Sequence, residues 1–448
     1  MNTVIASGSV IRNSGKRSPR RYRTIGTLVI LFVASLLMEG VLRKWILTPI
    51  QKPLFFIREP FLFLIYWCYL RYFRVNRLWF DTYLLYCYAV AVLSFAQNIF
   101  LQYPVLVPLM GFRFFCLYVP LAFIMWDVLN RDQLRRVVVF LLWISAPVAI
   151  LVFFQFSSPV ASPINKGISD DVVGRFTVAK DVIRPYGPFT FVLGQNAFAG
   201  MMIAIWLIAF DQRNRFKFGA ITMVISGISV LTMGALSGGR TFFAYLFLAL
   251  CAYILAGFTS GRLDLGAKRL MRVVIFTVCF LVTFVVIFPK AYESMSYRQE
   301  TATQIEGSTA RRAFRMLTAG FEAAETAPLF GYGVGAGINA TRGLTGSNES
   351  FAMGEYEWER IINEFGPIFG FPLLALRSWL VLWLLYRAIN FNKRYGDGSA
   401  VILWGCVGPM LATAQITMQN SMLGLCWLAV GLLLAMTKPD ARLEINES

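Results

Sequence analysis

Arg131-Asp132-Gln133-Leu134-Arg135-Arg136 runs without a break into Val137-Val138-Val139-Phe140-Leu141-Leu142-Trp143-Ile144-Ser145-Ala146-Pro147-Val148-Ala149-Ile150-Leu151-Val152-Phe153-Phe154-Gln155-Phe156. Three arginines thus precede an apolar run interrupted only by Ser145, Pro147 and Gln155. A helix that crosses a bilayer needs about 20 predominantly apolar residues. Cations collect at the cytoplasmic end of such helices. The stretch therefore reads as a spanning helix that enters from the cytoplasm, and it supplies the ruler for the rest of the chain.

Moved outward in both directions, the ruler predicts twelve spans: 24–42, 53–70, 82–98, 106–126, 135–156, 187–210, 218–236, 241–258, 273–289, 366–388, 400–417 and 420–437. The expected fold is an all-α polytopic membrane protein of about 12 transmembrane helices, with one large extracytoplasmic loop containing helices. The expected divisions are a cytoplasmic tail (1–23), a nine-span region (24–289), a periplasmic loop (290–365), a three-span region (366–437) and a second cytoplasmic tail (438–448). The polar start runs to Arg23 and no A-x-A-like site follows, so the first apolar segment reads as a retained anchor.

Composition agrees, since 57% of the 448 residues are hydrophobic and 15% charged, with a mean hydropathy of +0.61. The chain has no histidine. That excludes histidine triads, HExxH zinc sites, histidine-ligated haem and imidazole switches, and leaves Arg, Glu, Asp, Ser and Tyr to carry any chemistry. The seven cysteines (Cys68, Cys87, Cys116, Cys251, Cys279, Cys406, Cys426) all fall in apolar stretches with no CxxC pair. They read as small hydrophobes, so neither a disulfide framework nor a metal site is expected.

The formal charge of +18 has a positional meaning. With the N-terminus in the cytoplasm, 24 of the 42 Lys and Arg residues fall in seven short cytoplasmic segments. The outer loop carrying Arg43, Lys44 and Lys52 is the exception. Two outer segments, Ser157–Tyr186 and Lys290–Phe365, are too long to be turns, and loops of that size are usually functional. The second nets −3, so the basic excess is a topology signal, and nucleic-acid binding loses its support.

Four arginines lie in or at the rim of predicted spans: Arg58, Arg113, Arg240 and Arg377. Intramembrane arginines face a bundle interior or a polar cavity because lipid exposure is costly. Arg377 is expected near mid-span. Arg58, Arg113 and Arg240 lie nearer the outer ends and suit a cationic pocket for a lipid pyrophosphate, although Arg58 and Arg113 equally suit structural pairing with Glu39 or Glu59. Arg240 closes the tight turn Leu236-Ser237-Gly238-Gly239-Arg240, where small residues let backbone N–H groups approach a phosphate or simply permit the turn.

In the long loop, Thr309–Glu325 has helical periodicity, with Phe314, Leu317, Phe321 and Ala324 on one face and Arg311, Arg315 and Glu322 beside it. The arginines suit phosphate contacts or surface ion pairs. Pro328-Leu329-Phe330-Gly331-Tyr332-Gly333-Val334-Gly335-Ala336-Gly337 lacks the preceding strand of a nucleotide fold, so its glycines read as close backbone approach or a sharp re-entry. Glu355 to Gly366 leads into a span, with Trp358, Ile361, Ile362 and Phe365 as its apolar stripe and Glu357 and Glu364 flanking it. A rim carboxylate suits a general base on a sugar hydroxyl, and a solvated acidic helix has the same pattern.

The order of these features resembles the O-antigen ligase and O-antigen polymerase (Wzy-type) superfamily of bacterial membrane glycosyltransferases. The resemblance runs from about Arg184 to Phe371. It rests on Arg184-Pro185-Tyr186-Gly187-Pro188-Phe189 with Gly194-Gln195-Asn196, on Ser237-Gly238-Gly239-Arg240, on Arg311/Arg312 through Gly335, and on Glu357 through Gly370. Gly239 replaces the second serine of the family's Ser-x-Ser-Arg signature, and Glu357 stands where ligases usually show a histidine. The resemblance implies a metal- and cofactor-independent polymerase or ligase of the bacterial inner membrane, multi-pass with both termini cytoplasmic. It would transfer a glycan from undecaprenyl pyrophosphate to an acceptor sugar in O-antigen, capsule or exopolysaccharide synthesis. Implied partners are the lipid-linked glycan, the glycan acceptor, membrane lipid and a chain-length regulator, with no nucleic acid. On it Glu357, Arg240 and Arg311 are expected to be catalytic and Arg312, Arg315, Arg184, Asn196 and Ser237 substrate-binding, and the outer-end span arginines Arg58 and Arg113 join the substrate-binding set. An O-antigen ligase acting on lipid A core is the near alternative. A transporter or flippase of an anionic lipid-linked solute, or a non-catalytic assembly subunit, are the alternatives of a different class.

Overall fold

The computed structural model describes residues 19–168, 177–179, 182–213, 218–261, 263–306, 309–338, 341 and 356–439. Of the described residues 80% are helical. Its helices are α1 (Pro19–Val41), α2 (Glu59–Tyr72), α3 (Arg77–Leu101), α4 (Leu106–Phe112), α5 (Val119–Val128), α6 (Arg131–Ser157), α7 (Val192–Asp211), α8 (Ala220–Ala235) and α9 (Arg240–Phe258). They continue as α10 (Leu263–Ile287), α11 (Pro289–Glu306), α12 (Thr309–Ala324), α13 (Glu357–Tyr395), α14 (Ser399–Thr413) and α15 (Asn420–Met436). Two short antiparallel strands, β1 (Thr177–Ala179) and β2 (Val182–Ile183), lie between α6 and α7. Among the described residues nine helical stretches are long and apolar enough to cross a membrane, and α8, α14 and α15 are shorter apolar helices. Each of the twelve stretches predicted from sequence overlaps one of these.

Burial separates the centre of the bundle from its rim. Every residue of α15 is buried, and in α7 the most apolar stretch is 89% buried, against 12% in α10. Helix α15 packs on α5, α14 and α7, while α9 packs on α14, α7 and α10. Apolar side chains gain little by leaving lipid for protein, so close contact through small residues drives this packing. A Cβ on Gly405 of α14 would lie 2.6 Å from Leu248 O of α9, and one on Gly431 of α15 would lie 3.1 Å from Ala122 Cα of α5.

Polar residues set several helix ends. The Asn130 side chain accepts from Gln133 N at 3.1 Å and caps α6, and Asn76 caps α3 through Leu78 N at 3.2 Å. Two helices widen into a π turn, Leu42–Ile46 after α1 and Arg113–Leu117 after α4. An extra residue in the turn re-aims the side chains that follow, and both π turns carry cations: Arg43 and Lys44 in one, Arg113 in the other.

Helix α13 is two segments. Gly366 has φ 71° and ψ 164°, outside the helical range, and Pro367 follows it. A glycine there takes a backbone conformation costly for other residues, and the proline disfavours a helical residue before it. Gly370, just past the break, lies against Ile362: a Cβ on it would be 3.2 Å from Ile362 Cα. The short segment from Glu357 to Phe365 is therefore folded back against the start of the long one.

Helix α12 forms as its periodicity predicts, and it packs on α13. Its buried side is Ala319, Gly320 and Ala323, with Gly320 against Trp358. Phe314 and Phe321 on the apolar stripe are 69% and 58% exposed. The stripe faces outward, together with exposed Leu329, Phe330, Ile368 and Phe369, as an interfacial helix would present it.

Candidate functional site

Three buried polar clusters meet at one end of the bundle, around the six-residue link Ala414–Gln419 between α14 and α15. The first surrounds Asn420. Arg58, fully buried just before α2, pairs with Glu39 of α1 at 2.6 Å and donates Nη1 to Asn420 O at 2.7 Å. Glu39 also takes Arg43 at 2.9 Å. Arg113 donates Nε to Glu59 Oε1 at 2.9 Å and Nη2 to Asn420 Oδ1 at 2.7 Å, and Tyr118 donates its hydroxyl to the same Glu59 oxygen at 2.8 Å. Asn420 Nδ2 donates to Phe55 O at 3.1 Å and lies 3.3 Å from Glu39 Oε2. Arg58 and Arg113 are thus each matched by a buried glutamate. Pairing repays their desolvation, and the free Nη1 of Arg113 and Oε2 of Glu59 are enclosed without a hydrogen-bond partner among the described residues.

The second cluster stands on the folded-back segment of α13. Glu357, 1% exposed, accepts through Oε1 from Arg377 Nη1 at 2.8 Å, from Thr417 Oγ1 at 2.9 Å and from Thr417 N at 3.2 Å. Its Oε2 is enclosed with no hydrogen-bond partner among the described residues. Arg377 also donates to the carbonyls of Leu411 and Ala414 at the end of α14. The sequence reading put Arg377 near mid-span. Its helix segment starts after Gly366 and runs on to Tyr395, past the predicted end, and Arg377 lies beside the last turn of α14, whose carbonyls need donors.

One turn on, Arg360 donates Nε to Glu364 Oε1 at 2.8 Å. Arg360 is 3% exposed, and both its Nη groups are buried without a hydrogen-bond partner among the described residues. Glu364 accepts from Gly335 N at 3.1 Å and Gly337 N at 3.0 Å. Gln97 of α3 donates to the carbonyls of Phe330 and Glu364 and accepts from Val334 N at 2.9 Å. These bonds clamp the glycine-rich segment between α3, α4 and α13. A Cβ on Gly331 would lie 2.5 Å from Gly366 N, and one on Gly335 would lie 2.2 Å from Val107 O. The glycines thus serve close backbone approach, one of the two readings their sequence allows.

The third cluster surrounds Arg240, the first residue of α9. Gly238 has φ 57°, Gly239 N meets Ser237 Oγ at 3.4 Å, and a Cβ on Gly239 would lie 2.4 Å from Asn196 Nδ2. The fold thus joins Ser237, Arg240 and Asn196 in one place. Gln195, next to Asn196 in the chain and lying against Gly187, is fully buried with both side-chain polar atoms unpartnered among the described residues, as are Asn196 Oδ1 and Ser421 Oγ. A Cβ on Gly194 would lie 2.7 Å from Ser421 Oγ, which ties this cluster to α15.

Lys44, which broke the charge asymmetry in the sequence, has a structural task here. It is 1% exposed, donates to Gly187 O at 2.9 Å and Phe189 O at 2.7 Å, and contacts the rings of Trp45 and Tyr186. It therefore pins the turn that leads into α7.

Of the remaining expected site residues, Arg184 follows β2, half-buried with Nε enclosed. Arg311 and Arg315 stand on the exposed side of α12, where Arg315 pairs with Glu322 at 3.4 Å. The contacts of α12 are with α13, whereas the Arg240 turn packs on α7, so the helix carrying Arg311 and the Arg240 turn rest on different elements. The side chain of Arg312 lies outside the described residues. Sequence reasoning missed Arg360, Thr417, Asn420 and Ser421. Arg360 shares a helical face with Glu357 and Glu364, a signal that was present, while the other three sit at the facing ends of two predicted spans, 400–417 and 420–437, where they read as span residues. No family model, curated protein or solved structure matches the chain.

Proposed function

We propose that the protein is a membrane glycosyltransferase of the polysaccharide polymerase or ligase type, with the Asn420 end of the bundle facing the periplasm and up to twelve helices crossing the inner membrane. The observation that carries this reading is the pairing of enclosed, unpartnered groups on the folded-back segment. One oxygen of Glu357 and both Nη groups of Arg360, one turn apart, lack hydrogen-bond partners among the described residues. Buried polar groups are normally satisfied, so a carboxylate oxygen and a guanidinium fork left open together suit a ligand that brings an acceptor hydroxyl and an anion.

In the reaction so read, the acceptor sugar hydroxyl attacks the anomeric carbon of a glycan on a lipid pyrophosphate. The bond from that carbon to the pyrophosphate oxygen breaks, and the pyrophosphate leaves with the electron pair. Glu357 Oε2 takes the hydroxyl proton, with Arg377 and Thr417 holding the other oxygen in place. Arg360 and Arg240 supply positive charge to the departing pyrophosphate, and the Asn196 amide lies against Gly239, next to Arg240. Arg58 and Arg113 leave the substrate-binding set in this reading, because Glu39 and Glu59 already hold them. Arg311, Arg312 and Arg315 retain a place on a helix that borders the membrane surface.

The test is Arg240→Ala, Arg360→Lys and Glu357→Gln, scored for glycan chain length and for accumulated lipid-linked repeat units. Short chains with accumulated precursor are expected in all three, and normal long polymer in Arg240→Ala and Glu357→Gln sinks the site. Purified lipid-linked repeats that lengthen without lipid A identify a polymerase. A labelled lipid that crosses the bilayer while no glycosidic bond forms replaces this reading with transport.

A further inference from the structure

At the opposite end of the bundle, where α15 finishes at Met436, a cavity of about 440 Å³ opens among α5, α6, α7, α13 and α14. That volume lies within the range of small-molecule sites, about 300–1,000 Å³. Three cations line it, Arg131, Arg135 and Lys438, against two carboxylates, Asp127 and Asp397. The carboxylates have partners in the walls. Asp127 Oδ2 accepts from Trp79 Nε1 at 2.9 Å and from the Tyr69 hydroxyl, while Asp397 Oδ1 accepts from Ser399 N at 3.0 Å and Gln212 Nε2 at 3.3 Å.

Two helices begin at this cavity, α6 at Arg131 and α14 at Ser399, and a helix start favours negative charge. An independent observation marks the second. Ser399 is 4% exposed and lines the cavity, and its Oγ has no hydrogen-bond partner among the described residues. Beside Tyr22 and Asn130, the rest of the wall is apolar, with Leu134, Val138, Ile208 and Phe218 among it. An excess of positive charge, an open hydroxyl, two helix starts and a largely apolar wall around one open cavity fit one chemistry.

We infer that this cavity binds a phosphate-bearing anion, held by Arg131, Arg135, Lys438 and the Ser399 hydroxyl. The inference does not rest on the proposed glycosyl transfer, because the cavity shares no residue with the three clusters at the Asn420 end. The phosphate belongs either to a soluble molecule or to an anionic lipid headgroup whose chains lie along the apolar wall.

The full-length protein in phosphate-free dodecyl maltoside is titrated with inorganic phosphate in one arm and with phosphatidylglycerol in the other, while its melting temperature is followed. A rise with phosphate assigns a soluble ligand, and a rise with phosphatidylglycerol alone assigns a lipid. In the responding arm, Arg135→Gln/Lys438→Gln weakens the apparent Kd by about tenfold or more, the loss expected for charge-assisted hydrogen bonds. Ser399→Ala weakens it less, and Lys393→Gln, an exposed site outside the cavity, leaves it unchanged. If the double variant fails to fold, Ser399→Ala and the single Arg135→Gln carry the comparison. No response in either arm overturns the inference, and so does an equal loss with Lys393→Gln.

Discussion

Glu357 and Arg377 are twenty residues apart in one helical stretch, yet Arg377 Nη1 meets Glu357 Oε1 at 2.8 Å. An unbroken helix would hold those positions about 30 Å apart. The pair therefore reports the chain reversal at Gly366, and the reversal brings a carboxylate from the loop side into contact with a cation of the following helix.

Because that ion pair is buried, losing either member leaves the other charge uncompensated. Glu357→Gln and Arg377→Met are each expected to lower stability by about 3–5 kcal/mol, and the double variant by clearly less than their sum. Unfolding in detergent, followed by tryptophan fluorescence, measures the cycle. Strict additivity would show that the two groups do not interact.

Gly366→Ala places a Cβ 2.2 Å from Leu329 O at φ +71°, whereas Gly396→Ala has φ +66° and meets nothing within 4 Å. The left-handed conformation alone costs about 1–2 kcal/mol. Gly396→Ala should lose about that much, and Gly366→Ala distinctly more, with the glycine-rich segment released. Comparative melting temperatures and protease sensitivity near Phe330 test the difference, and equal losses would count against a steric clamp.

Asn420 bridges the two buried ion pairs through its side chain, so Asn420→Ala is expected to cost about 1.5–3 kcal/mol, the range for hydrogen bonds to charged groups. Asn420→Asp should be worse, since it sets a third carboxylate beside Glu39, which lies 3.3 Å from Asn420 Nδ2. A more stable Asp variant would reverse the assigned order of charges.

Burial pushes the Lys438 ammonium down to about 8. The titratable and charged groups that line the cavity with it are Tyr22, Asp127, Arg131, Arg135 and Asp397. A lowered lysine is charged below that value and neutral above it, so anion affinity should be greatest below about pH 8 and fall as pH rises beyond it. A bound phosphate moves the fall to higher pH by favouring the charged form. Lys438→Arg should flatten the profile, because a guanidinium keeps its proton throughout.

The twelve apolar stretches were legible because each carries its own signal in length and hydropathy, without reference to any other part of the chain. The partners of Arg58 and Arg113 were legible only as alternatives. Nothing local distinguishes a paired arginine from an open one, and Asn420 lies 362 and 307 residues away from them. Glu355 to Gly366 was legible only as the lead into a span, and nothing local showed that Glu357 would fold back onto Arg377, since that depends on Gly331 and Leu329 packing into the angle. Arg360 was within reach: it lies three residues from Glu357 and four from Glu364, on the same face. The outward stripe of α12 was correctly identified as a stripe, while its direction was set by Gly320 against Trp358.

The order of synthesis gives the buried state of α15 a further meaning. It is the most enclosed helix and also the last of the described ones to leave the ribosome. The arginines and glutamates of α1 to α4 must enter the membrane long before Asn420 exists to join them. Until then those early helices hold their charges in a half-assembled sleeve, and the final hairpin of α14 and α15 closes it like a cork. A chain halted after Thr413 would hold the partners of both ion pairs and lack the residue that binds them together, which makes the hairpin of α14 and α15 a natural checkpoint in assembly of the bundle.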